Sequence, residues 1–89
     1  MEKQEITQRL EHEKDVFSTR QTRDENLTKL LATLRLQLSE SCDQSESETL
    51  RHEIHELDQT RLRNARKLIE SYDKIAEYED LLYKPKTNA

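Results

Sequence analysis

Three histidines and one cysteine are the side chains of this sequence with the greatest potential for chemistry: His12, His52, His55 and Cys42. The string His52-Glu53-Ile54-His55 is similar to the start of the HExxH zinc motif, in which two histidines four residues apart bind the metal from one helix face. Here the second histidine follows the first by three residues, and position 56 is Glu56, so this ligand geometry is not met. We therefore expect solvated helical histidines and no metal or other cofactor.

Other kinds of catalysis also lack their usual residues. The sequence contains no glycine, and phosphate-binding loops of the Walker and Rossmann kinds need glycine where the backbone approaches the phosphate. Cys42 is the only cysteine, so no internal disulfide can form, and its acidic neighbours Glu40 and Asp43 disfavour a thiolate. We therefore predict a protein that is not an enzyme and that binds no small molecule.

The composition is that of a long helical protein with mixed charge. Apolar residues make up 31% and charged residues 38% of the chain, against typical values of roughly 45–50% and about 25%. The net charge is only −4, and the single proline is Pro85, so no helix breaker precedes the C-terminus. Too few apolar side chains are present for a globular core, and two helices alone would be marginally stable. Self-association or a partner protein is therefore expected.

The sequence has no feature of a membrane-spanning or exported protein. No apolar run approaches the roughly 18 residues of a membrane span, and residues 1–20 lack the apolar core of a signal peptide. We expect a cytoplasmic or nuclear location and no membrane partner.

Core-type positions recur with steps of four and three residues through the first half of the chain, as in a coiled-coil heptad. This first seam consists of Ile6, Leu10, Glu13, Phe17, Arg20, Asp24, Leu27, Leu31, Leu34 and Leu38. It is strong from Leu27 to Leu38 and weak from Glu13 to Asp24, where charged residues occupy core positions. The pattern predicts a helix over about residues 2–40.

Residues 39–47 carry no apolar stripe and are rich in serine and acidic residues. Serine and aspartate compete with the backbone for hydrogen bonds, so they prefer helix ends and turns. Two capping boxes are present, Asp43 with Glu46 and Ser45 with Glu48, and either would begin a second helix. We place the bend at about residues 41–45.

A second heptad seam follows the bend, and it consists of Leu50, Ile54, Leu57, Arg61, Asn64, Leu68, Ser71, Ile75, Tyr78 and Leu82. It is widened on one side by Leu62, Ala65, Ile69, Tyr72 and Ala76. A stripe this wide is typical of a helix that packs against more than one neighbour. The pattern predicts a helix over about 46–83 that is ended by Pro85. The helices and bend would form one domain over 1–84, followed by a disordered tail at 85–89.

The two seams are out of phase, which favours a chain that folds back on itself. Continuing the first seam beyond Leu38 would put serine, glutamate and histidine in the core, whereas the second seam restarts at Leu50. Pairing Leu38 with Leu50 also pairs Leu34 with Ile54, and each layer then joins an a position to a d position, as antiparallel packing requires. We therefore predict an all-α long helical hairpin, an antiparallel coiled coil that dimerises into a four-helix bundle. The alternative is a continuous parallel coiled-coil spacer, which would bury Glu46.

The helix–helix interface predicted from both seams consists of Ile6, Leu10, Phe17, Leu27, Leu31, Leu34, Leu38, Leu50, Ile54, Leu57, Leu68, Ile75 and Leu82. In the middle of the helices, Asp24, Arg61 and Asn64 form a polar layer, in which Asp24 and Arg61 are placed to pair. These side chains either reach solvent from a thin hairpin or form a buried layer that fixes register and oligomeric state.

Aromatic side chains are favoured anchors at protein interfaces. Candidates for docking a partner are Tyr72, Tyr78, Leu81 and Tyr83. The function that these patterns favour is that of a non-enzymatic coiled-coil oligomerisation or adaptor module, which scaffolds a larger protein assembly through helix–helix contacts. Its expected partners are a second copy of the chain and another helical protein.

The alternative function is the binding of RNA or DNA by a dimeric helical hairpin. Contacts to phosphates would come from the densest basic run of the sequence, which is Arg61, Arg63, Arg66 and Lys67. The net acidic charge and the absence of a broad basic surface in the sequence argue against a nucleic-acid partner.

Overall fold

The computed structural model describes residues 2–83, and these residues form two long α-helices that fold back on each other. Helix α1 spans Lys3–Glu40 and helix α2 spans Gln44–Tyr83. The hairpin is 68 Å long and 24 by 15 Å across. The all-α helical hairpin predicted from the sequence is confirmed, and the continuous helix of the alternative is not formed. The expected disordered tail at 85–89 and the helix stop at Pro85 lie outside the described residues.

Both helices are long because nothing in their sequences interrupts the backbone hydrogen bonds. The 38 residues of α1 and the 40 residues of α2 include no glycine or proline. Near the start of α1, Arg9 Nη2 lies 3.1 Å from Glu5 Oε1, an ion pair between neighbouring turns. Neither described helix has a stretch that is both long and apolar enough to cross a membrane.

The bend is short, since only residues 41–43 separate the two helices. Ser41 ends α1 in an extended conformation, and its N–H donates to the carbonyl of Leu38 at 3.2 Å. Asp43 caps the start of α2, because its Oδ1 accepts a hydrogen bond from the N–H of Ser45 at 3.1 Å and its carbonyl oxygen accepts one from the N–H of Ser47. This side-chain cap lets α2 begin at Gln44.

The buried apolar residues fall into two groups on the contact between the helices. Leu31, Leu34 and Leu50 lie towards the bend, and Ile6 and Leu10 lie towards the open end of the hairpin. The buried residues of the middle and open-end stretches also include three polar ones, Glu13, Asn64 and Ser71. The remaining seam residues are half-buried, namely Phe17, Arg20, Asp24, Leu27, Leu38, Ile54, Leu57, Arg61, Leu68, Ile75, Tyr78 and Leu82.

Candidate interaction surface

Polar side chains join the two helices in the middle of the hairpin, and we call this set the polar belt: Arg20, Asp24, Arg61, Asn64 and Ser71. Arg61 Nε lies 3.4 Å from Asp24 Oδ1, and both side chains are partly open to solvent. Asn64 is only 4% exposed, and its Nδ2 donates to the carbonyl oxygen of Arg20 at 2.9 Å. The predicted polar layer therefore divides into a partly solvated ion pair and a buried amide that is bonded to the opposite backbone.

Arg20 joins the two helices within this belt through two hydrogen bonds. Its Nη1 donates to Ser71 Oγ at 2.6 Å and to the carbonyl oxygen of Lys67 at 3.0 Å. Ser71 is fully buried, so the guanidinium supplies the partner that its hydroxyl needs away from water. Among residues 2–83, no buried side-chain nitrogen or oxygen lacks a hydrogen-bond partner. The belt therefore costs little in unpaired polar groups.

A second contact between the helices was also missed from the sequence. Arg35 Nη2 lies 3.1 Å from Asp58 Oδ1 and 3.2 Å from Asp58 Oδ2. Both residues occupy e positions, which lie beside the core in an antiparallel pair. Opposite charges at facing e positions are the signal by which this pair is recognisable in the sequence.

A row of apolar side chains on α2 is left mostly uncovered by α1, with Ala65 half-buried and the other four exposed. We call it the α2 stripe: Leu62, Ala65, Ile69, Tyr72 and Ala76. Leu62 is 49% exposed, Ile69 is 62% exposed and Tyr72 is 64% exposed. At 3.6 residues per turn, the centre of this stripe lies about 100° around α2 from the side that faces α1. The first part of the stripe borders an open groove, which Asp24 and Asp58 also line. These are the residues that widen the second seam in the sequence.

The four candidates for partner docking do not share one surface. Tyr72 and Tyr83 are both exposed, and at 3.6 residues per turn they lie on the same side of α2. Leu81 is also exposed, but it lies on the opposite flank of the helix. Tyr78 is half-buried on the contact with α1. Tyr72 and Tyr83 therefore share one face of α2, and Leu81 and Tyr78 lie on other sides of the helix.

The basic run proposed for nucleic-acid contacts is divided by the fold. Arg61 is half-buried and is paired with Asp24, so it does not lie on an outer face. Arg63 and Lys67 line a small groove together with Arg23 of α1. Arg66 is exposed and lies beside the α2 stripe, away from that groove. The four residues therefore do not make one continuous basic surface.

The histidines and Cys42 are exposed, in keeping with their placement on helix surfaces and in the bend. Within residues 2–83, no three His, Cys, Asp or Glu side chains come close enough together to hold a metal ion. Cys42 Sγ lies 3.9 Å from the carbonyl oxygen of Glu40.

Three comparisons with known proteins gave no match to this chain. No protein-family model matches the chain, and the searches of curated proteins and of solved structures give no significant match.

Proposed function

We propose that this protein is a non-enzymatic coiled-coil module that joins copies of itself, and another helical protein, into a larger assembly. The observation that carries the proposal is the α2 stripe, an apolar helix face that the hairpin leaves exposed. Burial of apolar surface is the main force that joins helices in water. A face with heptad spacing on a long helix is suited to receive another helix.

The small core of the hairpin supports the same proposal. The apolar side chains that are buried in the described residues are Ile6, Leu10, Leu31, Leu34 and Leu50. Polar side chains occupy the middle of the contact, where they contribute less burial energy than leucine would. A hairpin with so few buried apolar residues gains stability from any partner that binds only its folded form.

The direction of the α2 stripe supports a four-helix bundle of two hairpins. The stripe lies about 100° around α2 from the side facing α1. In cross-section, the line from α2 to a helix packed on the stripe would therefore make nearly a right angle with the line from α2 to α1. A two-fold axis through such a contact places four helices at the corners of a square. A stripe on the side opposite α1 would instead produce a flat row of helices.

The proposal is tested by sedimentation equilibrium and small-angle scattering over a range of protein concentrations. Self-association predicts a mass that rises with concentration towards two chains. A side-by-side bundle keeps a maximum dimension near the 68 Å of one hairpin, whereas hairpins joined end to end would be about twice as long. A mass of one chain at every concentration would contradict self-association.

Nucleic-acid binding is a weaker second candidate, and it rests on the groove formed by Arg23, Arg63 and Lys67. The net charge of −4 opposes the approach of a polyanion. Fluorescence anisotropy with labelled RNA and DNA oligonucleotides at low salt tests it. Binding that weakens steeply with added salt and is lost in Arg63→Glu would favour this function over the first.

A further inference from the structure

We infer that a second copy of this chain docks antiparallel along the α2 stripe, so that Arg66 of each copy pairs with Asp73 of the other. This inference rests on the proposed self-association and deepens it, because it names the face, the direction and the ion pairs of the dimer. It is carried by the charges beside the stripe, by the spacing of the stripe and by a contact within the hairpin.

Charges beside the α2 stripe are segregated along the helix. At 3.6 residues per turn, Arg66 lies beside its N-terminal half and Asp73 lies beside its C-terminal half. Both side chains are exposed. A parallel partner would place acidic residues beside acidic residues. An antiparallel second copy places Arg66 of each helix against Asp73 of the other, and the two-fold axis repeats this complementarity.

The spacing of the α2 stripe allows two antiparallel copies of α2 to pair their apolar side chains in layers, as the helices of an antiparallel coiled coil do. Leu62 of one copy then lies opposite Tyr72 of the other, and Ala65 lies opposite Ile69. The two-fold axis repeats both pairs, which gives four consecutive layers. The small side chain of Ala65 leaves room for the larger Ile69, so the helices approach closely at the centre of the contact.

The hairpin contains an ion pair with the geometry that the dimer requires. Arg35 follows Leu34 by one residue, and its partner Asp58 follows Ile54 by four residues. Leu34 and Ile54 belong to the same layer in the register that joins α1 to α2. An arginine one residue after a layer position therefore reaches an aspartate four residues after the opposing layer position, at 3.1 Å.

The inferred dimer repeats this relationship across its two-fold axis. Arg66 follows Ala65 by one residue, and Asp73 follows Ile69 by four residues. Because Ala65 and Ile69 form a layer, Arg66 of one copy has the same relation to Asp73 of the other as Arg35 has to Asp58. Each dimer contains this pair twice.

The test is a charge exchange followed by sedimentation equilibrium on the full chain. Arg66→Asp alone and Asp73→Arg alone each replace two attractive pairs by two repulsive ones, so each is expected to raise the dimer Kd roughly tenfold or more. The double variant Arg66→Asp with Asp73→Arg restores both pairs and is expected to return the Kd to within about threefold of the original. Lys29→Glu on the outer side of α1 is the matched control, because it changes the net charge as Arg66→Asp does.

A further variant tests the stripe itself. Ile69→Glu puts two carboxylates at the centre of the contact, and the dimer is expected to dissociate at all accessible concentrations. Circular dichroism checks that the variants remain helical, as expected for substitutions at exposed positions. A dimer whose Kd is unchanged in Ile69→Glu, or not recovered in the double variant, overturns this inference and leaves the proposed self-association standing. An original protein that is monomeric throughout overturns both.

Discussion

The side-chain amide of Asn64 donates a hydrogen bond to the backbone carbonyl of Arg20 at 2.9 Å and so joins α2 to α1 in the middle of the hairpin. Asn64 is buried, and a slip of the helices by one heptad layer would leave its amide facing apolar side chains. A single buried asparagine at a core position is a known means of fixing register at some cost in stability. This hydrogen bond therefore helps to fix the register of α2 against α1.

The first prediction concerns the balance between stability and uniqueness in the polar belt. Replacing Asp24 and Asn64 together by leucine is expected to raise the free energy of unfolding by about 1–2 kcal/mol, because apolar burial replaces polar groups that contribute little. The same change is expected to broaden the distribution of oligomers, because no buried amide then selects one register. Thermal denaturation and sedimentation velocity measure the two effects.

A suitable control for this double variant is Asn26→Leu, an exposed position on α1. It adds an apolar side chain without touching the belt, so its Tm should stay close to that of the original protein. A lower Tm for the double variant, together with an unchanged single mass, would contradict the prediction.

The second prediction separates Arg20 from its neighbours. Arg20→Ala removes the donor to Ser71 Oγ and leaves a fully buried hydroxyl to find another partner. The expected loss is about 1–3 kcal/mol of unfolding free energy. Ser71→Ala should cost less, because Arg20 keeps the carbonyl of Lys67 and can reach water. Urea denaturation of both variants gives the order.

Arg23→Ala serves as the comparison for Arg20→Ala, since it lies nearly one turn away and is exposed. Its expected change is within about 0.5 kcal/mol, as for most surface substitutions. Equal losses in Arg20→Ala and Arg23→Ala would show that the cross-helix bonds of Arg20 contribute nothing measurable.

The third prediction uses the two capping boxes of the bend. Asp43→Ala removes the carboxylate that accepts from the N–H of Ser45, and the expected cost is about 1 kcal/mol. Ser45→Ala leaves that cap in place and is expected to change stability by less than about 0.5 kcal/mol. Chemical denaturation of both variants tells which residue caps α2. A greater loss in Ser45→Ala would assign the cap to the other box.

The fourth prediction compares two leucines of α1 that differ in burial. Leu31 is fully buried, and Leu31→Ala is expected to cost about 2–5 kcal/mol from lost burial and the cavity left behind. Leu36 is 60% exposed, and Leu36→Ala is expected to be nearly neutral. If Leu36→Ala proves as costly as Leu31→Ala in urea denaturation, Leu36 must be covered by a partner.

The sequence predicts the hairpin and its register because both depend on periodicity. The break in phase between Leu38 and Leu50 requires the chain to turn, and the layer pairing then brings Asp24 near Arg61. Those two side chains are indeed in contact. A regular apolar pattern therefore carries enough information to place residues of opposite helices beside each other.

Finer features depend on choices that periodicity leaves open. Asp43 and Ser45 both begin a valid capping box, so the sequence could not select between them. Arg20 has a long side chain with many rotamers, and only the packed structure shows that it reaches Ser71. The α2 stripe is visible in the sequence as a widened seam. Heptad spacing tells which face is apolar, however, and not which molecule covers it.

The short bend also bears on the order in which the contacts form. Leu38 and Leu50 are brought together by a loop of few residues, whereas Ile6 and Leu82 are separated by almost the whole chain. Closing a short loop costs less entropy, so we expect the helices to zip together from the bend, with the open end closing last and opening first. Hydrogen exchange should then be faster in the first turns of α1 than around Leu34. A hairpin that opens from one end while the other stays folded can exchange its free ends with those of a second molecule, which offers a route to domain-swapped assemblies.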